Sequence, residues 1–254
     1  MKRTMCILLS VVLCIVAFLP TAAHAETYTL SETDITLSVD DTKWLVFTRD
    51  NIKDNPQLEQ LGLSYDAVND LLIENDAYMD AVLYHQSGDF AELFVRKKAL
   101  DTGVANLSNY DDDEVLELAE ELAKRQGAED YSVYKNQYKF AKLEYIDSKL
   151  GYYICEYATI VNKDNYTLTF QSTVPFTILE YEEIETIVNS VSFDVDESLK
   201  EKKPTPISFY AMILTGVGTV IGGVVGAVIA IANKKKKARK EIDNVSAVDA
   251  AEIN

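Results

Sequence analysis

The chain has 254 residues, with 41 acidic against 24 basic side chains and a formal net charge of −17. A field of that sign repels phosphate backbones and anionic headgroups, which excludes nucleic acid as a partner class and leaves cationic partners or divalent ions compatible. Three cysteines occur, and Cys6 and Cys14 fall in the first apolar run, so Cys155 stands alone beyond it. No internal disulfide framework is available there, and stability must come from the core.

In chain order, the first element follows Lys2-Arg3. An apolar run from Cys6 to Leu19 breaks at Pro20 and ends in Ala23-His24-Ala25. A positive n-region, a short apolar stretch and an A-x-A site predict a secretory signal peptide over 1–25, with the mature chain starting at Glu26. Strand-like alternation follows in Tyr28-Thr29-Leu30, Ile35–Val39 and Trp44–Phe47. Asp54-Asn55-Pro56 reads as a turn or helix start. Ser64 caps a helix with the stripe Val68, Leu71 and Leu72. Strands Tyr78–His85 and Phe90–Arg96 are joined through Ser87-Gly88-Asp89.

Asp111 and Glu114 have capping-box spacing. The helix they open carries Val115, Leu118, Ala119 and Leu122 on one stripe and stops at Gly127. Four strands follow, Tyr131–Tyr134, Tyr138–Ile146, Tyr152–Val161 and Tyr166–Val174. In the last, Tyr166, Leu168, Phe170, Ser172 and Val174 alternate with Thr167, Thr169, Gln171 and Thr173, which predicts one buried face and one polar or lightly covered face. Thr177 and Glu180 form a second box before the stripe Tyr181, Ile184, Ile187 and Val188. The domain closes at Ser192-Phe193-Asp194, and residues 196–206 read as a stalk.

Ile207–Ala232 carries no charge. Its length of about 39 Å as a helix exceeds a hydrocarbon core of about 30 Å, which predicts a transmembrane helix over 207–233. Lys234, Lys235, Lys236, Lys237, Arg239 and Lys240 follow at once and orient the tail, 234–254, to the cytoplasm. Residues 26–207 carry 16 basic and 37 acidic side chains, a net −21. The expected localisation is the cell membrane, single-pass, with the N-terminal domain extracytoplasmic. Gly218, Gly222, Gly226 and Ala230 recur every four residues, a small-xxx-small row suited to self-association or to pairing with another membrane helix.

The exported part, 26–195, is large enough for one core. Antiparallel strands interrupted by separated helices predict an α+β fold, with helices packed on an antiparallel sheet as an α/β/α sandwich. Ile35–Val39 leading into Trp44, the tandem hairpins of 138–174 and the closing Ile187-Val188-Asn189-Ser190-Val191-Ser192-Phe193 resemble a PsbP/DcrB-like domain. That resemblance implies a small binding or scaffold domain and carries over no catalytic residue.

Catalytic signals are sparse. His85 alternates with Met79, Ala81 and Leu83, as a structural histidine would. Cys155 reads as a buried inert thiol between Tyr153 and Tyr157. Ser132-Val133-Tyr134-Lys135 has S-x-x-K spacing but lies in a strand-rich segment rather than at a helix start. Asp111-Asp112-Asp113-Glu114 lacks the spaced ligands of a calcium loop, and Asp194, Asp196 and Glu197 are a similar case. Asn106-Leu107-Ser108 and Asn165-Tyr166-Thr167 have the form of glycosylation sequons. No cofactor or metal is expected. The expected function is a membrane-anchored, non-enzymatic binding domain for a protein, peptide or envelope component. The alternatives are a hydrolase in which Glu144 and Glu156 pair across neighbouring strands as acid and base, and a membrane-complex subunit assembling through its glycine row. A deep pocket joining Glu144, Glu156 and His85 would favour the enzyme, and a shallow apolar patch rimmed by acids the binder.

Overall fold

Two antiparallel sheets organise the computed structural model, which describes residues 25–85, 89–100 and 104–200. The larger sheet contains β3 (Trp44–Thr48), β4 (Ala77–Tyr84), β5 (Phe90–Ala99), β6 (Asp130–Lys135), β7 (Lys139–Ile146), β8 (Tyr153–Val161) and β9 (Asp164–Ser172), in the order β3-β4-β5-β9-β8-β7-β6. The smaller sheet places β2 (Ile35–Asp40) between β1 (Ala25–Thr29) and β10 (Ser192–Phe193). Four α-helices accompany them among the described residues: α1 (Pro56–Leu61), α2 (Tyr65–Glu74), α3 (Asp112–Gln126) and α4 (Ile178–Ser190).

The β6–β9 run is a four-stranded meander in which three successive antiparallel pairs join neighbours in sequence. The last strand then pairs with β5, from Ala91↔Ser172 to Ala99↔Asp164, which joins the two halves of the sheet. One face of the large sheet packs against α4 and the small sheet, with Leu37, Val39, Met79, Leu93, Tyr157, Leu168, Phe170, Ile184 and Val188 in a common core. The opposite face carries two separate helical packets. Helices α1 and α2 bury Leu58, Val68 and Leu72 against Phe47, Val82 and Phe94. Helix α3 buries Val115, Leu118 and Leu122 against Leu143, Ile154 and Ile160. The fold is therefore α+β, with helices on both faces of an antiparallel sheet.

Local chemistry fixes the helix ends: Asp54-Asn55-Pro56 is a helix start with Asn55 as its cap, and the caps expected at Ser64, Asp111 and Thr177 form. Asn55 and Ser64 accept from the backbone of Gln57 and Ala67 at 2.9 and 3.2 Å. Both capping boxes form: Asp111 with Glu114 at 2.9 and 3.0 Å, and Thr177 with Glu180 at 2.7 and 3.3 Å. Gly127 ends α3 at φ +70°, a left-handed conformation that favours glycine. Trp44 is buried and donates its indole N–H to Glu183 on α4 at 2.9 Å, which ties the two ends of the domain sequence together.

The face of Thr167, Thr169 and Gln171 was expected to be polar or lightly covered; it is polar, but each residue is at most 2% exposed. On that face the two helical packets rest on β8 and on β5, either side of β9, and the polar side chains between them are as deeply buried as the apolar ones. The segment expected to begin the stalk is also docked. Asp196 N–H donates to Asn162 Oδ1 at 2.8 Å, and Asn106 Nδ2 donates to the Leu199 carbonyl at 3.1 Å, holding the chain against the β8–β9 turn. No helix among the described residues is long and apolar enough to cross a membrane. The expected signal peptide up to His24, the hairpin residues Ser87 and Gly88, the 207–233 anchor, the row Gly218, Gly222, Gly226 and Ala230, and the basic block from Lys234 to Lys240 lie outside the described residues.

Ile187 sits in the core at 2% exposure, whereas Ile73 on α2 is 54% exposed. Ile187→Ala is expected to cost about 2–5 kcal/mol. Ile73→Ala should stay within about 0.5 kcal/mol of wild type. Urea midpoints of the two variants check the contrast, and equal losses would place the core elsewhere.

Candidate functional site

The two carboxylates of the hydrolase alternative do not meet. The β7–β8 register sets Glu144 opposite Cys155 and Leu143 opposite Glu156. Side chains alternate faces along a strand, so Glu144 belongs to the face covered by α4 and Glu156 to the face covered by α3. Glu144 accepts from the Tyr181 hydroxyl at 2.6 Å and pairs with Lys142 at 2.8 Å. Partial burial pushes its pKa up, but the bonds from Lys142 and Tyr181 outweigh this and hold it below the ordinary value. His85 joins neither carboxylate. It follows the end of β4, and its Nε2 lies 3.0 Å from Glu180, the capping-box residue of α4.

The remaining sequence candidates resolve into structural roles. Cys155 is fully buried in the α4-side core, and burial pushes its thiol up to about 12. Ser132 and Lys135 lie on β6, an edge strand, rather than at a helix start. Asp112 pairs with Lys135 and with Lys139, the latter at 3.1 Å, so part of the acidic run is spent on β6 and β7. Among the described residues no group of three or more His, Cys, Asp or Glu side chains is placed to hold a metal. Both sequon asparagines, Asn106 and Asn165, are buried at 5% and 3% exposure, which leaves no room for a glycan on the folded domain.

Two features were not read from the sequence. The first is the interior polar face of β9. Gln171 Nε2 donates to Glu92 Oε2 at 2.7 Å across the β5–β9 pair. Arg96 Nη2 donates to the Thr169 hydroxyl at 3.0 Å, and that hydroxyl donates to Glu156 Oε2 at 3.0 Å. The Arg96 guanidinium and the Glu156 carboxyl are 3.5 Å apart. Burial raises the Glu156 pKa, while Arg96 and Thr169 pull it back only in part. Burial also raises Tyr84 to about 12, with Glu92 and Asp80 adding to the shift. The array locks three strands through side chains as well as backbone.

The second feature is a cleft at one end of the sheet. Strand β6 begins at Asp130, opposite Glu144, but β7 runs on through Tyr145 and Ile146. The sheet edge therefore steps, and a cleft of about 420 Å³ opens in the step. Ile146, Tyr153, Phe176 and Tyr181 supply apolar surface, and Glu129, Asp130 and Glu144 supply the acids. The rings of Phe176 and Tyr181 meet at 5.6 Å. Lys142 lies 5.6 Å above the Tyr181 ring while paired with Glu144, so its charge is already spent. Between the lining residues Phe176 and Tyr181 in the chain, Ile178 and Leu179 in the first turn of α4 are 78% and 74% exposed. A sequence signal for them exists: Leu179 falls on the side of α4 opposite the stripe of Ile184, Ile187 and Val188. A second, more open recess of about 310 Å³ lies near Trp44, Asp41 and Asp54.

No protein-family model and no curated protein matches this chain.

Two measurements follow from these environments. Cys155 in the folded domain should resist a thiol reagent and react only as fast as the domain unfolds. Rapid labelling under native conditions would contradict its burial. Glu156 has an ordinary value of 4.5 that is raised in the fold. Between those two values the unfolded chain has lost a proton that the folded chain keeps, so this group's contribution to stability falls as pH rises through that window. Glu156→Gln removes the titration and should flatten the slope of urea midpoint against pH above 4.5. An unchanged slope would mean that the buried carboxyl is not neutral.

Proposed function

We propose that the chain is a single-pass membrane protein whose exported α+β domain binds a protein, peptide or envelope component and performs no chemistry of its own. The observation that carries this reading is the open cleft where Ile146, Phe176 and Tyr181 meet the acids Glu129, Asp130 and Glu144, with Ile178 and Leu179 exposed in the helical turn between Phe176 and Tyr181. Exposed apolar surface of this kind marks recognition sites, because a soluble domain otherwise keeps such side chains apart. The groups that a hydrolytic reading would use support it by their separation. Glu144 and Glu156 belong to opposite faces, His85 lies 3.0 Å from Glu180, and Cys155 lies in a core. The resemblance to PsbP/DcrB-like domains is of the same kind, a small binding or scaffold domain.

Export and anchoring rest on the two apolar runs and on the charge distribution, net −21 over residues 26–207 and six basic residues within 234–240. In this reading the acidic domain is held off an anionic membrane surface while the basic block leans on it. The full chain, tagged at its C-terminus and expressed in a bacterial host, provides the test. Protease added to intact cells should remove the domain and leave a membrane-bound tail fragment carrying the tag. Loss of the tag from sealed cells would reverse the topology.

A further inference from the structure

The two ends of the large sheet do different things. The chain leaves the domain at the β8–β9 turn, where Asn162 holds both Asp194, through its carbonyl at 2.7 Å, and Asp196, through its N–H at 2.8 Å. The cleft lies at the other end of β8, against Tyr153 and Ile154, the first residues of that strand. The nine residues of β8 separate these ends by about 30 Å, at about 3.3 Å per residue. Only residues 201–206 lie between the described chain and the expected anchor, and fully extended they reach about 20 Å. On the reading proposed above, the tether holds the exit end of the domain near the membrane, and the cleft lies at the far end from that tether. Its occupant arrives from outside.

The charge of the cleft narrows what that occupant is. Glu144 is neutralised by Lys142, but Glu129 and Asp130 make no ion pair among the described residues, and both are exposed. Two open carboxylates in one cleft with Ile146, Phe176 and Tyr181, next in the chain to the exposed Ile178 and Leu179, offer attraction to a cation and burial to apolar groups. An anionic lipid surface meets the burial but not the charge. We infer that the cleft docks a lysine- or arginine-bearing, apolar-flanked segment of another polypeptide, a class that rests on the binding-domain reading and deepens it. The acids steer and orient the cation, and the exposed Ile178 and Leu179 supply the anchoring contact.

The test uses the full chain in nanodiscs of zwitterionic lipid. The probe is a short fluorescent peptide in which lysines are flanked by leucine and phenylalanine, compared with the same peptide carrying glutamate in place of every lysine. The lysine peptide should bind, more weakly as salt is raised. Glu129→Gln with Asp130→Asn, and separately Ile178→Ser with Leu179→Ser, should each weaken it by about tenfold. Glu129 and Asp130 line the cleft, Ile178 and Leu179 are exposed in the turn of α4 between the lining residues Phe176 and Tyr181, and continued protection of Cys155 confirms that each variant is folded. Equal binding of the two peptides, no binding of either, or affinity indifferent to both variants would overturn the inference. So would Ile178- and Leu179-dependent binding to anionic vesicles, which would assign the patch to lipid instead. A Leu179→Cys variant on intact cells separates this failure from failure of the underlying reading. Labelling by a membrane-impermeant maleimide leaves the exported domain standing when the peptide class falls, and absence of labelling removes both.

Discussion

Strand β9 has no side that faces water, and the rest of the domain is arranged around that constraint. Its backbone is shared between β5 and β8 along its whole length. Tyr166, Leu168 and Phe170 enter one core, while Thr167, Thr169 and Gln171 enter the space between two helical packets. A buried polar group without a partner costs about 1–3 kcal/mol, more if charged. The second face is therefore viable only because Glu92, Arg96 and Glu156 on the neighbouring strands meet it side chain to side chain. Those bonds also fix register. A slip of one residue would turn Phe170 toward Arg96 and Glu156 and bring Gln171 into the aromatic core.

Much of this was legible from local chemistry. Caps, boxes and the terminating glycine act over three or four residues, and each is visible in the sequence at Asn55, Ser64, Asp111, Gly127 and Thr177. The hairpins of 138–174 carry their own alternation. What could not be read is the burial of Thr167, Thr169 and Gln171, because it depends on α2 and α3 closing from far away in the chain. Alternation reports that two faces differ in polarity. It does not report what covers the polar one. A buried polar face in a central strand and a solvated face in an open sheet look alike until the helices are placed.

The candidate chemistry failed for a related reason. Glu144 and Glu156 are twelve positions apart across a hairpin, and proximity in a hairpin is decided by parity as much as by distance. With Leu143 opposite Glu156, the two carboxyls diverge by the thickness of the sheet. Each then acquires its own environment. Glu144 gains a cation and a phenol and stays charged. Glu156 gains a hydroxyl and a guanidinium in a dry interior, and its charged form is disfavoured. Opposite pKa shifts at two carboxyls often mark an acid–base pair. Here they arise on opposite faces of one sheet, and the separation turns that signature into two unrelated structural roles.

The cleft follows from the connection between α3 and β6. Helix α3 ends at Gly127 in a left-handed residue, which turns the chain within a few positions into the edge strand. Because β6 starts at Asp130 while β7 continues to Ile146, the edge cannot be flush, and the missing length is the cleft. Glu129 and Asp130 line it because they occupy that turn, and Phe176 lines it because the β9–α4 connection passes the same end of the sheet. Phe176 packs against the core from its edge, while Glu129 and Asp130 are exposed and add nothing to it. Side chains at such a step are under little packing constraint, which frees the step for exposed apolar and acidic groups that the interior could not hold.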